Sequence, residues 1–210
     1  MRTRMRKLMF VCLGGLLVIS MGSMASSIQD AGDPATDQDA ASKAWMDYMT
    51  PGDNHKWLAG RVGDWEIATT HWLQPDTPPI ESTMNATYEA VLGGRYLAQT
   101  VHDMDYSGMT FGARGFIGYD NVQKIFVTSW IDSFGTGIAT GRGTKNDDGS
   151  IDWVWMMTDP ISGKEMKMRA VEKVISDDEF VMTMYQEMPD GTEMKSMVQQ
   201  ARRKKASSSQ

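Results

Sequence analysis

From Gly63 to Arg203 the apolar residues tend to recur at every second position, and turn-forming residues interrupt the pattern at intervals too short for a crossover helix. Strands joined this way run antiparallel, because a parallel pair needs a dozen or more residues between its members. The expected strands are 64–73, 82–91, 94–103, 112–119, 123–132, 136–143, 151–158, 164–175, 179–188 and 193–203. Asp148-Gly149 and Asp190-Gly191 are the strongest hairpin signals, read as type I′ turns with positive φ at both central residues. Asn121, Ser162-Gly163 and Asp177-Asp178 mark further tight connections.

A meander of this length has two long edges, and pairing its first strand with its last removes both. The expected fold is therefore all-β: an up-and-down antiparallel barrel of about ten strands with a short N-terminal helical pair. Ile151, Trp153, Trp155 and Met157 share one face, as do Met166, Met168, Ala170 and Val174 on the next strand. The helical pair precedes the strands. Trp45, Met46 and Met49 are spaced for one face of a helix from Ala40 to Met49. Thr50-Pro51 is read as ending that helix and starting a second, which carries His55, Trp57 and Leu58 and stops at Gly60.

Residues 1–25 read as a signal peptide: Arg2, Arg4, Arg6 and Lys7, then the apolar run Leu8 to Ile19, then Ser23-Met24-Ala25 at a suitable cleavage site. The rival reading is a retained anchor, since Leu8 to Ala25 reaches roughly the 18 residues a membrane span needs. Cys12 lies inside the apolar run, which argues against a lipoprotein site. Residues 26–39 read as a flexible leader, 40–204 as the barrel domain with its helices, and 205–210 as a disordered tail. The expected location is periplasmic or secreted, with membrane contact only through the signal peptide during export.

Removing the four basic residues of 1–25 from the 21 in the chain leaves 17 against 27 acidic ones, a net charge of about −10. Such a surface repels phosphate backbones, so nucleic acid is not an expected partner. The chain's single cysteine is Cys12, so the folded part holds no disulfide and depends on burial for its stability. Oligomeric state leaves no signal in the sequence.

Methionine and tryptophan, 19 and 7 residues in all, invite a functional reading. Methionines can line an adaptable apolar cavity or simply fill a core. Trp65 reads as a plug at a closed end. Trp130 shares a face with Asp132, and an inward carboxylate needs a partner or a ligand. His71 follows Trp65, Ile67 and Thr69 at period two, which aims its imidazole at the lumen or its rim. The candidate ligand-binding set is His71, Arg95, Tyr119, Trp130 and Asp132, with His55 near the opening. Arg95 is suited either to a ligand carboxylate or to a wall ion pair with Asp120 or Asp132.

No nucleophile elbow, phosphate-binding loop or metal-ligand spacing is present, so no catalytic residue, metal or cofactor is assigned. The stretch Asn146 to Asp152 resembles part of a calcium loop but carries Trp155 where the bidentate acid belongs. It reads as a hairpin turn.

Several dispersed stretches, in order, resemble the bacterial DUF1579 family. They are His55-x-x-Leu58 with Gly63-Asp64-Trp65, Leu92-Gly93-Gly94-Arg95, Phe111 to Gly118-Tyr119-Asp120-Asn121, and Trp130-Ile131-Asp132-Ser133 with Gly135-Thr136-Gly137. Asp159-Pro160 through Ser162-Gly163-Lys164, Pro189-Asp190-Gly191 and Arg202 continue the series, over roughly residues 45–204. Ala113 and Thr110 depart from the pattern, where glycine and proline are expected. The resemblance implies a lipocalin-like or fatty-acid-binding-protein-like barrel, and no established activity.

The leading expectation is a non-enzymatic exported barrel holding a small apolar or amphipathic molecule. The alternatives are a structural or envelope-interaction protein with a filled core, and a hydrolase or isomerase in which Asp132 orients His71 as a base.

Overall fold

The structure, a computed structural model, describes residues 34–205 apart from 107 and 189. The expected signal peptide, residues 26–33 of the leader and residues 206–210 of the tail lie outside the described residues. Two helices, α1 (Pro34–Met49) and α2 (Asp53–Ala59), precede ten strands. These are β1 (Gly63–His71), β2 (Ile80–Val91), β3 (Tyr96–Tyr106), β4 (Met109–Asp120), β5 (Ile125–Asp132), β6 (Ala139–Lys145), β7 (Ile151–Thr158), β8 (Glu165–Ser176), β9 (Glu179–Glu187) and β10 (Glu193–Arg203). Each pairs antiparallel with its sequence neighbours, and β1 also pairs with β10 from Trp65↔Arg203 to His71↔Met197, which closes the barrel. Among the described residues every strand has a neighbour on both sides.

Alternation decides the interior. On β1 Trp65, Ile67 and Thr69 are buried while Glu66 and Ala68 are exposed, and the register carries that face across to Met84, Ala86 and Tyr88 on β2. Bulges between Val101 and Met104 and between Lys195 and Met197 shift the register of β3 and β10.

Three local details differ from the sequence reading. Helix α1 begins at Pro34, so residues 34–39 are helical rather than part of a leader. A proline is favourable there because the first helical residue has no N–H bond to lose. Residues 34–40 group apart from the rest and are described only as helix. Thr50 closes α1 through its hydroxyl on the Met46 carbonyl, 2.6 Å away, and α2 starts later, with Gly52 as its cap. The third difference is the hairpin at Gly149. Only the glycine has positive φ, +81°, and its N–H reaches the Asn146 carbonyl at 3.0 Å, while the Asn146 N–H reaches Ser150. This is a type I turn followed by a glycine bulge rather than type I′, and the hairpin at Gly191 (φ +82°) departs from the type I′ expectation in the same way, its N–H reaching the Met188 carbonyl at 2.9 Å while the Met188 N–H reaches Thr192. Asp148 favours it by accepting the Ser150 N–H and hydroxyl at 2.9 and 2.6 Å, a local bond that competes with positive φ at the acid itself.

Candidate functional site

The two ends of the barrel are built differently. At the end where β1 begins, α2 inserts Leu58 and Trp57, and an aromatic column continues through Phe126 to Trp153, with ring centroids 5.4 and 6.3 Å apart. Trp65, 1% exposed, donates its indole N–H to the Arg61 carbonyl at 2.9 Å and packs on Phe180 and Tyr88, the position expected of a plug. Gly63, with φ +135°, leaves room for Arg203, whose guanidinium lies over Trp65 and donates to the carbonyls of Val62 and Gly60. A Cβ on Gly63 would stand 2.9 Å from the Arg203 Nη1.

Beneath this plug lies an ion pair absent from the sequence reading. Arg61 and Glu172 hydrogen-bond with side chains 9% and 5% exposed, and the guanidinium lies 4.3 Å from the Trp57 ring centroid and 4.9 Å from that of Phe180. Burial pushes the neighbouring Tyr88 phenol well above its ordinary range. The available signal was Glu172 itself, the one acid in the inward series Met166, Met168, Ala170, Glu172.

One wall is panelled by indoles lying on glycines. Cross-strand pairs join Gly115 to Trp130, Gly141 to Trp155 and Gly143 to Trp153. A Cβ on Gly143 would meet Trp153 at 2.8 Å, and one on Gly141 would meet Thr128 at 2.6 Å and Trp155 at 3.1 Å. The inward face of β6 is nearly bare, which lets these rings lie flat.

Toward the other end, the mouth, the interior is half-buried: Trp130, Trp155, Met168, Met182 and Met197 pack on the core without being covered. Among the described residues three buried polar atoms have no protein partner: Thr69 Oγ1, Trp155 Nε1 and, below the aromatic column, Trp153 Nε1. Gln99, paired across Tyr88 and Gly115, and Gln199, paired across Thr69 and Met182, share the inward face. His71, at the end of β1, is partly covered, and burial holds its imidazole below the ordinary value of about 6.5. Around the rim, three of the five connecting segments present an exposed apolar side chain, Leu73, Phe134 with Ile138, and Ile161, and Met109 does so at the start of β4.

A model of the family described as "Protein of unknown function (DUF1579)" matches residues 50–203. The chain belongs to the DUF1579 family. Among solved structures it is similar to Rv2717c from M. tuberculosis, with a TM-score of 0.51 and 15% identity over 74% of this chain and 100% of that one. A likeness at that identity concerns the fold alone. A search of curated proteins finds no match.

In this DUF1579 barrel the six candidate residues do not form one cluster. His55, Arg95 and Tyr119 lie at the helix end, and His71, Trp130 and Asp132 lie toward the mouth. His55 accepts the Gly52 N–H on Nδ1 at 3.0 Å, the reciprocal half of a capping box, since glycine has no side chain to supply the other half. Its ring sits edge-on to Tyr119, 6.0 Å away, and burial holds its basicity below the ordinary value. Arg95 is exposed. It pairs with neither Asp120 nor Asp132 but donates to the carbonyls of Leu92 and Met49 at 3.2 and 2.7 Å.

Asn121 reinforces that contact by donating to the carbonyls of Asp47, Tyr48 and Thr50 at 3.0, 3.3 and 2.8 Å. Two DUF1579-like stretches, Leu92 to Arg95 and Gly118 to Asn121, thus grip the C-terminus of α1, whose last turn has no basic residue of its own. Asp132 is likewise occupied: one oxygen accepts the Trp130 indole N–H at 3.0 Å, the other the N–H groups of Phe134 and Gly135 at 2.9 and 3.1 Å. His71 and Asp132, on β1 and β5, make no hydrogen bond to each other among the described residues.

The two best-formed concavities lie outside the barrel. One of about 190 Å³ is lined by Trp72, Gln74, Pro75, Asp76, Met194 and Lys195. The other, about 240 Å³, involves Ser176, Asp178 and the basic segment Arg202–Lys205 at the helix end. Among the described residues no three His, Cys, Asp or Glu side chains converge as a metal-holding group. Asn146 donates to Ser150 and Asp152 across the hairpin, so that acidic loop is held by its own bonds.

Proposed function

We propose that this DUF1579 protein is exported and holds a small apolar or amphipathic molecule in the mouth half of its barrel. The observation that carries the reading is the group of buried unpartnered donors Thr69 Oγ1, Trp153 Nε1 and Trp155 Nε1, set beside half-covered methionine and tryptophan side chains. Buried polar groups ordinarily have partners, and an apolar concavity with a few convergent polar atoms is the usual form of a small-molecule site. The apolar rim favours entry of such a molecule. Export rests on the basic and apolar run of residues 2–25.

Native mass spectrometry of the mature protein purified from its own host, followed by thermal shift against a lipid extract, tests the binding. A ligand at a hundred times its Kd stabilises by about 2.7 kcal/mol, a rise of roughly 5–11 °C for a domain of this size. No co-purifying mass and no shift would sink the proposal. A second reading, a barrel with a filled core, is favoured by the aromatic column from Trp57 to Trp153 and by the absence of either best-formed concavity from the interior. The same titration separates the two.

A further inference from the structure

We infer that the molecule held in the barrel is uncharged and carries hydrogen-bond acceptors, such as an ester, ketone or ether on an apolar chain, and that it is not a free carboxylate or phosphate. This rests on the ligand-holding reading above and names its chemical class. An indole N–H can only donate, and the Thr69 hydroxyl is able to donate, so the unpartnered atoms Trp153 Nε1, Trp155 Nε1 and Thr69 Oγ1 call for acceptors on the guest. Gln99 and Gln199 add two side-chain amides on the same inward face.

An anion would need a cation, and each inward guanidinium is committed. Arg61 is bound to Glu172 and stacked on Trp57, and Arg203 is bound to Asp178 and the carbonyls of Val62, Gly60 and Asp177. Arg95 lies outside, on α1. Lys145, at the helix end of β6, stands over the Trp57 ring at 4.7 Å. The methionines supply the way in. Met168 is the cross-strand neighbour of Trp155, and Met182 is one strand removed from Thr69 across Gln199. An unbranched thioether swings aside with little strain, so both donors can be uncovered without moving the backbone.

Three fluorescent polyene probes separate the possibilities at pH 8: cis-parinaric acid methyl ester, the free acid, and diphenylhexatriene, which has no acceptor. Energy transfer from the tryptophans reports binding to the mature protein. The ester is expected to bind at least about tenfold more tightly than the acid, because the acid would bury an unpaired charge. Thr69→Val, which keeps the shape and removes the hydroxyl, should weaken the ester by roughly three- to tenfold and leave diphenylhexatriene within about twofold.

Trp155→Phe should act in the same direction, with circular dichroism confirming that both variants fold. Acid binding as tight as ester binding overturns the chemical class while leaving a ligand-holding barrel. An ester-to-hydrocarbon ratio unchanged in both variants also overturns it, and so assigns the donors to water. Binding of none of the three probes overturns the ligand-holding reading itself.

Discussion

Replacing Glu172 by leucine should cost the barrel about 3–5 kcal/mol, the range for removing one partner of a buried pair. The pair is 9% and 5% exposed, so the remaining guanidinium would be stranded away from water between α2 and β8. Its stacking on Trp57 and Phe180 is present before and after the change, so it cancels and leaves that range unaltered. Glu172→Gln keeps an acceptor for Nη2 and should cost less than Glu172→Leu. Set against the 5–15 kcal/mol typical of a folded domain, that loss is a large fraction of the total.

Urea denaturation followed by tryptophan fluorescence measures this directly, with an unchanged slope expected if only stability moves. The decisive comparison is the double variant Arg61→Met with Glu172→Leu. Removing both charges removes the desolvation penalty along with the attraction, so the double variant should be more stable than Glu172→Leu alone. Additive single losses, or a Glu172→Leu cost under about 1 kcal/mol, would show that the two groups do not stabilise one another. The Arg61–Glu172 pair would then not lock the segment after α2 to β8.

Gly143→Ala should destabilise by about 1–3 kcal/mol, since the new methyl meets Trp153 at 2.8 Å and Ile151 at 2.9 Å on a wall with no slack; thermal unfolding reads it. Asn121→Ala should loosen α1 and leave the barrel intact, seen as faster proteolysis within residues 41–49 at an unchanged barrel melting temperature. Asp148, Asp159 and Asp190 are held below the usual carboxylate range, chiefly by local hydroxyl and backbone N–H groups, so each contributes stability above its unfolded value that is lost as pH falls through its folded one. Asn at these positions should flatten the acid limb of the stability profile. His71 works in the opposite sense to a paired histidine: burial lowers its folded value, the unfolded chain takes up the proton first, and stability declines as pH falls through about 6.5, a decline that His71→Gln should reduce and buried His55 should sustain in part.

The wall was legible because each strand's face and each turn are local properties. Trp65, Ile67 and Thr69 declare an inward face by spacing alone, and all ten strand positions follow from such runs to within a few residues. The turn at Gly149 shows where local reading stops: the dipeptide located the hairpin, but its type depended on Asp148 preferring a bond to Ser150 over positive φ. The site was harder to read because the same residue types serve both ends of the barrel. Arg95 and Asp132 are polar, near aromatics and placed at strand ends, which fits a ligand anchor as well as it fits a helix clamp or a turn. What separates these roles is which carbonyl or N–H a neighbouring loop brings within 3 Å, and strand pairing sets that across more than 40 residues for Arg95 and Met49.

Glu172 presents the converse case, an acid whose inward parity is plain from its own strand but whose partner Arg61 sits 111 residues away in the turn after α2. Periodicity can say that a charge points inward; only closure of the barrel onto its plug says what neutralises it. The same reasoning gives weight to Thr69, Trp153 and Trp155. Closure brings partners to Arg61 and Arg203, and local bonds serve Trp65 and Asp132, yet neither supplies these three. With Arg61, Trp65 and Arg203 satisfied at the plugged end, Thr69 and Trp155 are the donors on which the proposed ligand-holding role rests.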